Sequence, residues 1–199
     1  MKFSKTVLLS SLLLATLGPS SVMATEEYAS TVIDYSSQWG VASWAASQAV
    51  GESDTFSYGD IGTSWAPAPM NGSLEFLSLG FATPVYSTGA VIRETYGNGF
   101  VYQIDAVDTS GALHQVWSGT DTSAANTPVD FSVSWNATSF RTTGLKIYVN
   151  TDNNKSAWEE IDSVKLLGQL TAPVPEPETF AMMLAGLAVV GSMARRRKS

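Results

Sequence analysis

The sequence predicts an all-β domain, an antiparallel β-sandwich, between an N-terminal signal peptide and a C-terminal single membrane helix. The first observation is a series of about eight short segments with strand-like apolar patterns, separated by turns rich in Gly, Asp, Asn and Ser. The second is a charged, then apolar, then small-residue order at the N-terminus. The third is a proline-containing spacer, an uncharged apolar run and a group of cations at the C-terminus.

The N-terminal segment has the features of a secretory signal peptide. Lys2 and Lys5 precede the apolar stretch Val7–Leu17, and small residues lead to Ala24. This order is typical of a signal peptide, with cleavage expected after Ala24. We therefore expect residues 1–24 to direct the chain to the secretion machinery and to play no part in the fold.

The domain is predicted to cover residues 25–170. Its first strand signal is Val32–Tyr35, and Val41–Val50 is compatible with one or two helical turns that end at a glycine. The segment Gly51–Gly72 is rich in Gly, Ser, Pro and Asp and is predicted to be a long irregular loop. A loop of this length inside a small domain is usually functional or held by a ligand.

Strand patterns dominate the rest of the domain. Apolar and polar residues alternate strictly in Val129–Trp135 and again in Leu145–Val149, as in half-buried strands. The turn Gly97-Asn98-Gly99 predicts a β-hairpin between Val85–Tyr96 and Phe100–Asp108. The other predicted strands are Leu74–Phe81, Ala112–Trp117 and Ile161–Leu166.

The charge of the predicted mature part is strongly negative. Residues 25–174 include 16 acidic and 5 basic residues, a net charge of −11. Such a surface repels phosphate backbones, so we expect no nucleic-acid binding. The chain has no cysteine, so an exported domain must be stabilised by core packing, and a bound cation would offset part of the acidic excess.

Three segments follow the domain. Residues 171–179 form a linker, residues 180–194 are uncharged and are predicted to be a transmembrane segment, and residues 195–199 form a basic cytoplasmic tail. The apolar run is slightly short for a hydrocarbon core of about 30 Å, so it spans only with membrane thinning or snorkelling flanks. A buried core helix is the alternative interpretation; the proline spacer and the terminal cations favour the membrane.

The tail closely resembles the PEP-CTERM sorting signal of Gram-negative bacteria. The residues that match its motif and basic end are Pro175, Glu176, Pro177, Arg195, Arg196 and Arg197. The resemblance implies recognition by an exosortase, cleavage near the motif and at least transient anchoring in the inner membrane. It also implies delivery to the cell surface or to an extracellular matrix of exopolysaccharide.

The domain resembles the discoidin-related, galactose-binding-like jelly roll, in the version found at the end of some pappalysin-like and F-box leucine-rich proteins. The matching segments are Tyr35–Trp39, Ala46–Gly51, Leu74–Phe81, Glu94–Tyr96 and Glu160–Val164. The resemblance implies a jelly-roll architecture. Because this superfamily binds varied ligands, it implies less about function.

The residue types give little support to catalysis. The chain has one histidine and no cysteine, so a catalytic triad would need His114, and no Gly-x-Ser-x-Gly elbow supplies its serine. Zinc lacks its usual ligands for the same reason. Glu159 and Glu160 are adjacent and point to opposite faces of a strand. We therefore expect no enzyme; a hydrolase that pairs carboxylates across the fold is the third hypothesis.

A structural calcium ion is expected as a cofactor. The loop supplies Asp54 and Asp60, and carboxylates and carbonyls are the ligands that calcium prefers. The resemblance to galactose-binding-like domains implies that a calcium ion joins such a loop to a glutamate just before the last strand, Glu160 in this sequence. The alternative is that Glu160 and Asp162 accept hydrogen bonds from buried backbone.

Aromatic residues in or beside loops suggest carbohydrate recognition, because sugar rings bind to aromatic faces beside fixed polar groups. The predicted ligand-binding residues are Tyr58, Trp65, Tyr96, Asn98 and Trp158. We predict an exported, non-catalytic module at the cell surface or in the matrix that binds extracellular polysaccharide. The alternative is a structural matrix or surface protein that self-associates, or binds other proteins, without recognising glycans.

Overall fold

The computed structural model describes residues 23–173 and 177–196. Within these ranges the chain forms eight β-strands, all paired antiparallel, a 3₁₀ segment at Ala46–Ala49 and the helix α1 at Pro177–Arg196. The strands are β1 Ala24–Tyr28, β2 Thr31–Tyr35, β3 Leu74–Tyr96, β4 Val101–Asp108, β5 Leu113–Ser118, β6 Val129–Ser134, β7 Thr142–Asn150 and β8 Glu160–Gln169. The predicted all-β antiparallel class is confirmed; β1 was not predicted.

The long strand β3 belongs to two groups of strands. Its first half lies between β2 and β7, in the order β2-β3-β7-β4-β5, and its second half lies between β8 and β6, in the order β1-β8-β3-β6. The sequence predicted two separate strands, Leu74–Phe81 and Val85–Tyr96, where the structure has one. Its pairing with β7 is interrupted between Gly80 and Val85, where Pro84 has no N–H to donate to a ladder.

The predicted hairpin at residues 97–99 is wrong, although a turn is present. Gly97 and Gly99 have φ angles of 68° and 94°, in the left-handed region that glycine favours. However, β4 pairs with β5 and β7, whereas the second half of β3 pairs with β6 and β8. The turn therefore leads the chain from one group of strands to the other.

One hydrophobic core joins both groups of strands. Its largest fully buried apolar side chains are Trp65, Phe100, Leu77, Leu79, Ile92, Ile104, Leu145, Ile147, Ile161 and Leu166. Burial of each such side chain contributes about 1.5–3 kcal/mol. Trp65 lies in the long loop between β2 and β3, and its backbone exchanges two hydrogen bonds with Ile161 of β8, of 2.8 and 3.0 Å. This contact fixes the loop to the last strand.

The C-terminal part of the chain forms α1. Helix formation was expected for residues 180–194, and the helix extends beyond them at both ends. Among residues 23–173 and 177–196, no helix has the length and apolar character needed to cross a bilayer. Residues 1–22 of the expected signal peptide, and Pro175, Glu176 and Arg197 of the sorting motif, lie outside the described residues.

Candidate functional site

Side chains from three segments, three of them tryptophans, line a cleft of about 160 Å³. Trp39 and Trp44 come from the segment after β2, Asp60 and Ala66 from the long loop, and Trp158 from the segment before β8. Trp39 is 54% exposed. The cleft thus combines three tryptophans and one exposed carboxylate.

The two tryptophans after β2 are fixed by each other and by the long loop. The rings of Trp39 and Trp44 pack edge to face, with centroids 4.8 Å apart. The backbone N–H of Trp39 donates to Ala66 O at 2.9 Å, and that of Trp44 donates to Gly62 O at 3.0 Å. Trp44 has a φ of 55°, which is uncommon for a bulky residue. These contacts hold the cleft in shape before any ligand binds.

Glu160 lies behind the cleft and is fully buried. Its Oε1 accepts a 3.2 Å hydrogen bond from the indole N–H of Trp44, and its Oε2 accepts a 3.3 Å hydrogen bond from the backbone N–H of Ile61. Burial raises the pKa of Glu160 to about 8, and the neighbouring carboxylate of Asp60 adds to this increase. Glu160 therefore supports the cleft, and Asp60 is the carboxylate that a ligand would meet.

Of the five predicted ligand-binding residues, Trp158 lines the cleft. Tyr58 and Tyr96 pack edge to face with centroids 5.3 Å apart and are partly exposed, but neither is among the lining residues. Tyr96 lies opposite Glu160 in the pairing of β3 with β8. The tyrosine pair is therefore linked to the strand that supports the cleft.

The prediction that Trp65 and Asn98 bind a ligand is wrong, because both side chains are buried. Trp65 has no exposed surface, and its indole N–H donates to the backbone carbonyl of Ser37 at 3.1 Å. Asn98 is 4% exposed, and its amide nitrogen donates to the carbonyls of Ala124 and Thr127. Neither side chain offers a face to a ligand in solution.

The predicted calcium ligands are only partly brought together. Asp60 and Glu160 are neighbours, whereas the backbone N–H of Asp54 lies 3.5 Å from Oδ1 of Asp162. Across the described ranges, no three His, Cys, Asp or Glu side chains are grouped as a metal ion would require. Calcium needs about six to eight oxygens, more than Asp60 and Glu160 provide. A calcium ion at this place stays a prediction.

His114 forms a local pair on the edge of the sheet. Its Nε2 lies 2.8 Å from Oδ2 of Asp108, and its ring stacks on Phe140 with centroids 4.1 Å apart. The nearby hydroxyl of Ser110 donates to Asp108 and not to His114. This arrangement lacks the serine-to-histidine hydrogen bond of a catalytic triad.

Trp39 and Trp44 are site residues that the sequence did not reveal. Trp44 falls within the segment Val41–Val50, for which the sequence predicts one or two helical turns. The helical turn is short and begins only at Ala46. Two tryptophans on either side of Gly40 were the available signal.

Comparison with known proteins identifies the tail and the fold. Residues 173–198 match the PEP-CTERM protein-sorting motif. Among solved structures, the chain is similar to the family 32 carbohydrate-binding module from C. perfringens NanJ in complex with galactose. That match has 16% identity, a TM-score of 0.52 and coverage of 72% of this chain and 99% of the other.

Two further structures show the same fold. Reduced XRCC1 bound to the DNA pol beta catalytic domain matches with 12% identity, a TM-score of 0.55 and coverage of 71% of this chain and 98% of the other. Truncated AlyQ with CBM32 and alginate lyase domains matches with 15% identity, a TM-score of 0.50 and coverage of 78% of this chain and 36% of the other. No curated protein matches.

Both resemblances are confirmed: the chain has a PEP-CTERM motif, and its domain has the discoidin-like, galactose-binding-like fold. At 16% identity, the similarity to the NanJ module establishes the fold alone.

Proposed function

We propose that the protein is an exported, non-catalytic module that binds extracellular polysaccharide in the tryptophan cleft. The observation on which this rests is the cleft itself, in which Trp39, Trp44 and Trp158 surround a space beside the carboxylate of Asp60. Sugar rings present apolar C–H faces that pack on aromatic rings, and their hydroxyl groups donate to carboxylates. The cleft provides both kinds of contact.

Each lining residue has a distinct role in this proposal. Trp39, which is exposed, is the platform for a sugar face, and Trp158 adds a second aromatic side chain to the lining. Asp60 accepts hydrogen bonds from sugar hydroxyl groups. Trp44 is held by Glu160 and keeps Trp39 in place through their edge-to-face contact. The small volume suits one or two sugar units of a longer chain, with the rest of the polymer in solvent.

The fold comparison supports this class of ligand. The NanJ module has the same fold and is described in complex with galactose. We extend carbohydrate binding, and not galactose itself, to this chain, because at 16% identity the likeness concerns the fold alone.

The tail supports export and sorting. We propose that residues 1–24 direct secretion and that an exosortase recognises the PEP-CTERM motif at residues 173–198. Described apolar side chains of α1 are exposed, including Met182 at 74% and Leu184 at 63%. We propose that this helix contacts the inner membrane transiently, before the protein reaches the cell surface or matrix of a Gram-negative bacterium.

Affinity electrophoresis of the full chain against a panel of neutral, amino and uronic-acid polysaccharides tests the proposal. A retarded band with at least one polysaccharide, restored to normal mobility by its soluble oligosaccharide, is the expected result. Sedimentation velocity on the same sample tests the alternative role. Self-association without retardation by any polysaccharide would indicate a structural matrix protein instead.

A further inference from the structure

A second group of buried polar side chains lies away from the tryptophan cleft, between the β3–β4 turn and the loop after β5. Glu94 has no exposed surface and Asp121 is 5% exposed, and their carboxyl groups are in contact. The backbone N–H of Gly99 donates to Oε2 of Glu94, and that of Ser123 donates to Oδ1 of Asp121, each at 2.9 Å. One oxygen of each carboxyl group is thereby satisfied.

Three side-chain oxygens in this group have no hydrogen-bond partner. They are Oε1 of Glu94, Oδ2 of Asp121 and Oδ1 of Asn98. The orientation of Asn98 is fixed, because its amide nitrogen donates to both Ala124 O and Thr127 O, at 3.0 and 2.8 Å. Its Oδ1 is therefore a free acceptor, buried in the same contact between the turn and the loop.

The electrostatics of the group favour a positive charge. None of the salt bridges formed by the described residues includes Glu94 or Asp121. Burial, and then the contact with the Asp121 carboxyl group and its negative charge, raise the pKa of Glu94 to about 10. Two buried carboxyl groups in contact, with unpaired oxygens, are an arrangement that a bound cation would stabilise.

Backbone carbonyl oxygens lie close to Gly99, whose N–H donates to Glu94. Gly99 has a φ of 94°, and a Cβ at this position would lie 3.1 Å from Ser123 O, 3.3 Å from Nδ2 of Asn153 and 3.5 Å from Asp121 O. Two carbonyl oxygens of the loop after β5 are therefore close to the residue that holds Glu94.

We propose that Glu94, Asp121 and Asn98 bind a calcium ion, with backbone carbonyl oxygens of the 121–124 loop as additional ligands. Calcium takes about six to eight oxygens from carboxylates, amides and carbonyls and tolerates irregular geometry, whereas magnesium retains several waters. Among the described residues, no three His, Cys, Asp or Glu side chains form a cluster. The proposed site does not need one, because it contains two carboxylates and takes its other oxygens from an amide and from backbone carbonyls.

The ion would fix the turn that supports the tryptophan cleft. Gly97 packs so closely on the backbone of Trp158 that a Cβ would lie 2.4 Å from its carbonyl oxygen. Asn153 donates from its side chain to the carbonyls of Gly97 and Asn98. Calcium at Glu94 would therefore hold the turn on which the Trp158 backbone rests.

Isothermal titration of the EDTA-treated, dialysed full chain with CaCl₂ tests the site. The control variant is Glu52→Gln, which alters an exposed carboxylate outside this group. We expect a binding event that Glu52→Gln retains and that Glu94→Gln and Asp121→Asn each weaken at least tenfold, with circular dichroism showing that the variants are folded. No calcium binding by the wild type, or binding unaffected by both variants, would overturn the proposal.

A second measurement needs no variant. Terbium(III) replaces calcium in oxygen sites, and its anomalous scattering locates it in crystals of the wild-type protein. A peak between Glu94, Asp121 and Asn98 is expected. Terbium bound elsewhere, or nowhere, contradicts the site even if the two variants do not fold.

Discussion

The indole N–H of Trp44 donates a 3.2 Å hydrogen bond to Glu160, the buried first residue of β8. The other oxygen of Glu160 accepts from the backbone N–H of Ile61 at 3.3 Å. One carboxyl group thus joins the segment after β2 and the long loop to the last strand. Through these two hydrogen bonds, Glu160 helps to hold the cleft in shape.

Replacing Glu160 should therefore destabilise the protein. In Glu160→Gln, one acceptor oxygen becomes an NH₂ group, so the N–H of either Trp44 or Ile61 loses its partner in a buried place. We expect the free energy of unfolding to fall by about 1–3 kcal/mol. Denaturation in urea measures it. The exposed Glu52→Gln is the control and should change stability by less than about 0.5 kcal/mol; equal effects of the two substitutions would contradict this role.

Gly97 is predicted to tolerate no side chain, for two reasons that can be separated. Its φ of 68° is strained for alanine, and a Cβ would also meet Trp158 O at 2.4 Å. Gly111 has a φ of 86° with nothing within 4 Å, so Gly111→Ala reports the backbone strain alone, about 1–3 kcal/mol. Thermal unfolding should show a larger loss for Gly97→Ala. A loss no greater than that of Gly111→Ala would show that the turn can move away from Trp158.

Because of Asp108, the stability of the protein should depend on pH under acidic conditions. Hydrogen bonds from Ser110, then from His114, hold the pKa of Asp108 well below its usual range. The pKa of Asp108 is lower in the folded protein than its unfolded value of about 3.9. The contribution of the Asp108 carboxylate to the free energy of unfolding is therefore present above that pH and is lost as the pH falls below it. The stability difference between wild type and Asp108→Asn should shrink from pH 6 to pH 2. A difference that is constant with pH would exclude this contribution.

The basic end of the tail should act through its charge. In a host with an exosortase, changing Arg195, Arg196 and Arg197 together to alanine should reduce tail processing, because the cations set membrane orientation. Changing the same residues to lysine keeps the charge and should preserve processing. Intact mass and cell fractionation measure both. Normal processing of the alanine variant would argue against a charge-dependent tail.

Local sequence patterns were sufficient to predict where most strands lie, but not which strands pair with each other. The alternation in Val129–Trp135 and Leu145–Val149 predicted β6 and β7, because one face of each strand packs against the core. The glycines at residues 97 and 99 predicted a turn, since local φ preferences decide this. They could not show that β4 would pair with β5 and β7 instead of β3, because that choice depends on distant strands.

The site was less predictable because loop conformation determines which aromatics are exposed. Trp65 was placed in the binding site from its irregular surroundings, but its backbone pairs with Ile161, far along the chain, and its ring becomes part of the core. Trp39 and Trp44 are brought to the cleft by hydrogen bonds to the long loop. The contact between Glu94 and Asp121 likewise joins segments that no local pattern relates.

In the proposed function, the tryptophan cleft binds a glycan through the ring of Trp39. The most direct measurement is isothermal titration of the full chain with an oligosaccharide of the polysaccharide that retards it, in wild type, Trp39→Ala and Phe56→Ala. Phe56 is 76% exposed and does not line the cleft, so it controls for loss of an exposed aromatic. We expect Trp39→Ala to weaken binding by about 2 kcal/mol, roughly 30-fold, and Phe56→Ala to match wild type. Equal affinities of all three proteins would contradict binding in this cleft.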